Sequence, residues 1–98
     1  MLTISHVPAQ NRSGSIAAGG TAQNVYTAEQ QPRYGFEFFN TSDTVMYLDW
    51  DTNATAGNGV PVPAGGSYYM PGPGGVVPHG RMSVLCATTG KTFTCKTF

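Results

Sequence analysis

The stretch that most constrains this chain is residues 34–51, YGFEFFNTSDTVMYLDWD, where two runs of aromatic and branched side chains flank a short polar break. Residues 34–39 and 45–50 have the composition of strands. Between them Asn40, Thr41, Ser42 and Asp43 carry short side chains that bond back to the main chain in turns. The stretch therefore reads as one β-hairpin. With the four polar residues as its loop, Phe38 faces Val45 and Phe36 faces Tyr47 on one side, while Phe39, Met46, Leu48 and Trp50 lie on the other. Both faces are apolar. A sheet wetted on one side alternates apolar with polar residues, so this hairpin needs a second sheet against one face. Against the other it needs further cover, from the chain's own arms or from another subunit.

A chain of 98 residues allows one domain with a thin core. Oligomerisation is a common remedy for so small a core, and a homo-oligomer is expected. Charged residues make up 10% of the chain with zero formal net charge, against about 25% in typical soluble domains. There is no excess of Lys and Arg to neutralise phosphates, so nucleic acid is not expected as a partner. A hydrophobic fraction of 40% is too high for a wholly disordered chain.

Along the chain, residues 1–15 lack the basic start, apolar centre and small-residue cleavage site of a secretory signal. No stretch is suited to crossing a membrane as a helix: the longest one without Asp, Glu, Lys or Arg, 52–80, is broken throughout by Gly and Pro. Cytoplasmic synthesis is the simpler expectation, and it leaves the Asn-x-Ser/Thr matches at Asn11, Asn40 and Asn53 without meaning. Leu2 and Ile4 alternate with Thr3 and Ser5, which reads either as an extended N-terminal arm over 1–12 or as a frayed end. Residues 13–26 form two short strands around Gly19-Gly20, and 28–32 a loop. Within the Gly/Pro-rich region 52–80, the ordered pieces are 60–62 and 67–70. Residues 82–87 and 92–98 read as a second hairpin closed near Gly90. About eight short strands without helical periodicity predict an all-β domain over 1–98: a small antiparallel β-sandwich or squashed barrel, with a jelly roll among its forms. Phe36, Phe38, Val45, Tyr47, Val84 and Phe93 are the expected core.

Motifs that invite a chemical reading do not hold. Asp49, Asp51 and Asn53 alternate like the start of a calcium loop, but Ala54 stands where the sharp turn needs Gly and Val60 where a bidentate Glu belongs. His6 and His79 are isolated beside Pro8 and Pro78, and no strand-Ser-helix elbow is present, so neither a metal site nor a hydrolytic triad is expected. Gly72, Gly74 and Gly75 alternate with prolines and cannot open a phosphate-binding helix. The expectation is a protein without catalysis, metal or cofactor.

Cys86 and Cys95 have two readings. A two-residue turn at Gly90-Lys91 sets them directly opposite each other at a close, non-hydrogen-bonded pair, where a disulfide is geometrically possible. Cytoplasmic synthesis favours instead reduced thiols on a core face shared with Val84 and Phe93.

The segments SIAAGGTAQ at 15–23, FNTSDTVMYLDW at 39–50, TNATAG at 52–57, PVPAGGSYY at 61–69 and GRMSVLCATTGKTFT at 80–94 give the chain a further likeness. In these it resembles small β-rich virion proteins of tailed bacteriophages, of the capsid decoration, or cement, kind. The resemblance implies a structural protein on the capsid surface, a dimer or trimer, partnered by the major capsid protein and bridging its neighbouring subunits. Leu2, Ile4, Val7, Tyr68, Tyr69 and Met70, with the loop 72–78, are the candidate contacts. Two alternatives stay open. Tyr68, Tyr69 and Trp50 can be a stacking platform for sugar in a receptor- or carbohydrate-binding module of a fibre or tail. The chain can also be a head-completion or tail-tube component.

Overall fold

A computed structural model describes residues 9–70 and 77–98. Nine short strands run in the order β1 (Gln10–Asn11), β2 (Gly14–Ser15), β3 (Gln23–Tyr26), β4 (Phe36–Asn40), β5 (Met46–Trp50), β6 (Val60–Val62), β7 (Ser67–Met70), β8 (Met82–Cys86) and β9 (Thr92–Thr97). The one helical element among the described residues is a single 3-10 turn, Ala28–Gln30, held by the amide of Thr27 donating to Gln30 Oε1 at 3.0 Å. One antiparallel sheet has the order β1-β9-β4-β7 with β2 also on β9, and the other has the order β3-β8-β5-β6.

The register shows how this arises. Gln10 pairs with Thr97, Gln23 with Val84, Phe36 with Met70 and Met46 with Val62. Every one of these pairs is centred within one residue of the Asn53/Ala54 peptide. The described chain is thus one long antiparallel ribbon with its tip in residues 51–59, rolled so that β4 also meets β9 and β5 also meets β8. With β1 and β2 as two pieces of one interrupted edge strand, this is a jelly-roll sandwich, one of the forms expected of the all-β fold.

Rolling corrects both expected hairpins. β4 and β5 lie in different sheets, so residues 41–45 form an arch between layers rather than a hairpin loop. The reason is the conflict already visible in the pattern. A hairpin would put Phe36 and Phe38 on one face and Met46 and Leu48 on the other, whereas an arch turns both sets inward. All four are fully buried. Val45 and Tyr47, expected in the core beside them, are half-buried and point to the outside of the four-strand sheet. Phe36, Phe38, Val84 and Phe93 are core residues as expected. β8 and β9 are likewise an arch: Cys86 lies opposite Met46, and Cys95 opposite Phe38, so the two cysteines are not cross-strand neighbours.

Aromatic rings join the layers at one end of the core, and toward the arches Phe38 and Phe93 lie among aliphatic and sulfur side chains. Phe36 lies 5.7 Å from Trp50, 6.2 Å from Tyr68 and 6.5 Å from Tyr26, joining the two sheets through ring contacts. Phe38 stacks on Phe93 at 5.3 Å. A bulge between Asn24 and Tyr26 lets the successive residues Val25 and Tyr26 both bury. The expected arm over 1–12 is revised in its last part, because Gln10 and Asn11 form an edge strand on β9. Leu2, Ile4, Val7 and most of the loop 72–78 lie outside the described residues.

Candidate docking surfaces

At one end of the sandwich the sheet-crossing connections 16–22, 41–45, 63–66 and 87–91 are tied to one another. The amide of Gly19 donates to Thr89 Oγ1 at 2.8 Å, that of Gly20 to the Cys86 carbonyl at 2.8 Å, and that of Gly90 to the Ile16 carbonyl at 2.8 Å. Lys91 Nζ and Asp43 Oδ1 form an ion pair at 2.7 Å between two of the arches. That partner, together with the Thr44 hydroxyl, lowers the Asp43 carboxyl below its ordinary range.

Asn40 fastens a third arch. Its side-chain amide donates to the Thr44 carbonyl at 2.8 Å and the Val62 carbonyl at 2.9 Å, and its oxygen accepts from the Ser42 amide and hydroxyl. Its backbone exchanges bonds with Gly65 and Gly66. The outer side chains of this end, among them Ala18, Thr21, Ala64, Ala87 and Thr88, are small and exposed.

The outer faces of the sheets differ. On the four-strand sheet the half-buried row of Tyr47 and Leu85, beside exposed Pro61, is partly capped by the ribbon tip. Ser83 Oγ accepts the Ala54 amide at 2.8 Å and donates to the Thr52 carbonyl at 2.7 Å, while Gly59 comes so close to Tyr47 that a β-carbon there would lie 2.8 Å from that of the tyrosine. The outer face of the five-strand sheet carries no such cover among the described residues. Tyr69, Glu37, Lys96 and Asn11 stand in one row across it, and Ser67, Phe39 and Thr94 in the next. Tyr69 is 66% exposed and Phe39 40%.

The proposed sugar platform does not assemble. Trp50 and Tyr68 meet at 6.0 Å, but both pack on Phe36, and the Trp50 indole N–H donates to Tyr26 Oη at 3.2 Å. Tyr69 points to the opposite side of the sheet. Met70, the remaining described contact candidate, is half-buried against the core beside Tyr68.

The polar turn after β5 is tied down by Arg81. Arg81 directs one guanidinium nitrogen to Asn24 Oδ1 at 2.9 Å and another to Asn53 Oδ1 at 3.0 Å, while Asp49 Oδ1 accepts the Trp50 amide. Gly80 holds φ at +94°, and a β-carbon there would lie 2.9 Å from Asp51 Oδ1. Only glycine fits that approach. Among the described residues no group of three or more His, Cys, Asp and Glu is arranged to hold a metal. No helix among them is long and apolar enough to cross a membrane. Cys86 and Cys95 are buried free thiols, and burial pushes the Cys95 thiol up to about 12.

Asn40, Ser83 and Arg81 are the structural residues that the pattern alone missed. One signal for Asn40 was present: it continues the inward parity of Phe36 and Phe38, and an inward polar residue must find partners. No protein-family model, curated protein or solved structure matches the chain.

Proposed function

We propose that the chain is a structural virion protein that binds the outer surface of a phage capsid and bridges neighbouring major capsid protein subunits, without chemistry of its own. The observation that carries this reading is the end where the sheet-crossing arches meet. Its loops are short, cross-tied through Asn40 and the Asp43 to Lys91 pair, and clad in small side chains. Such a surface loses little conformational freedom when it docks, which favours protein–protein contact from so small a domain. The sequence resemblance supplies the partner, and the low charge of the chain suits a life packed among other subunits.

Reconstruction of purified particles that carry the protein tests the reading. Many copies on the outer shell, each touching more than one capsid subunit through the arch end, are expected. A56R would leave that contact alone, whereas A64R and T88R, at exposed arch positions, should release the folded protein from the particle. Particles lacking the protein should assemble but break at lower temperature. A few copies at the tail, or one ring at the portal, would transfer the protein to the fibre or the head-completion and tail-tube alternatives.

A further inference from the structure

We infer that the outer face of the five-strand sheet docks against the same face of a second copy, about a two-fold axis running along the strands between β4 and β9. Glu37 on β4 and Lys96 on β9 are directly opposite neighbours, both exposed. Among the described residues the ion pair formed within the chain is Lys91 with Asp43, at the arch end, so the Glu37 and Lys96 head groups remain available. Rotation about the stated axis exchanges β4 with β9 across the interface. Each Glu37 then stands over the second copy's Lys96, and each Lys96 over its Glu37.

The same rotation lays Phe39 over Thr94 and Tyr69 over Asn11, so the two exposed rings are covered by neutral side chains. One acid and one base in adjacent columns are matched by the reversed order, which this face supplies when turned on itself. A polyanion would leave Glu37 opposed. Four strands about 4.8 Å apart and five residues long give a face of about 19 by 17 Å. That is small beside the roughly 800 Å² per partner of stable complexes, so the pair forms weakly and in proportion to concentration. The inference concerns the isolated protein and does not rest on the virion role, though a two-headed unit is what bridging would use.

Sedimentation at low ionic strength, with circular dichroism to check folding, tests it through charge reversal. The native protein should shift from monomer to dimer with rising concentration. E37K and K96E should each weaken that dimer on the order of tenfold or more, since like charges then face each other twice. Mixing E37K with K96E should restore association as a heterodimer, because both facing pairs become attractive. A mixture that stays monomeric, single reversals that dimerise like the native chain, or a native chain that is monomeric at every concentration would each overturn the inference.

Discussion

The side-chain amide of Asn40, at the end of β4 in one sheet, donates to the carbonyl of Val62 on β6 in the other, at 2.9 Å. With its bond to Thr44 it closes the arch and pins the two layers together at the end where the arches meet. N40A would remove the side-chain donor from the buried Val62 carbonyl and leave the Thr44 carbonyl to the Ser42 hydroxyl alone, and should cost about 1 to 3 kcal/mol in chemical denaturation. N40D keeps the shape but removes the donors, and its penalty should grow as the pH rises and the new acid ionises. Near-native stability of both variants would remove Asn40 from that role.

F36A and F38A should each cost about 3 to 5 kcal/mol, because both rings are fully buried and Phe36 touches Tyr26 and Trp50 of one sheet and Tyr68 of the other. V45A and Y47A, on the outside of the four-strand sheet, should cost much less, about 1 kcal/mol. Equal losses at all four positions in urea unfolding would contradict the arch.

Alkaline pH should unfold the protein. Burial raises the Cys95 thiol from 9.0 to about 12 and the Tyr26 phenol from 10.0 to about 12, the latter against the pull of its bond to Trp50. The native state keeps protons that the unfolded chain gives up, so this stability is complete below about pH 9 and is lost as the pH climbs towards 12. C95A and Y26F should flatten the decline measured between those values.

The thiols should be silent in the native state. Cys86 and Cys95 are buried and reduced, so a thiol reagent at neutral pH should label neither until denaturant is added, and then both. Rapid labelling of native protein would place one of them at the surface.

The strands and the inward face of β4 were legible in the sequence because they depend on local properties. Branched and aromatic runs fix where the chain extends, Gly and Pro fix where it turns, and the alternation of Phe36, Glu37 and Phe38 fixes which side is buried. Residues 60–62 and 67–70 are strands to the residue for the same reason. What the sequence could not choose was the partner of each strand. Asn40 to Asp43 suits a hairpin loop and an arch alike, since backbone hydrogen bonding is generic and any extended neighbour can satisfy it. The choice fell to burial. Only by joining different sheets can Phe36 and Phe38 face Met46 and Leu48 across a common core, and that arrangement also carries Phe39 and Tyr47 to opposite outer surfaces. The same contest separates β8 from β9, although Val84, Cys86, Phe93 and Cys95 would share one face in a hairpin too. There no local pattern distinguishes the two forms. β9 lies between β4 and the β1/β2 edge, and β8 between β3 and β5, through pairings that only the rolled ribbon brings within reach. The two surfaces proposed for docking follow from that roll: the arches meet at one end, and Glu37, Lys96, Phe39 and Tyr69, scattered in sequence, come together on one sheet face.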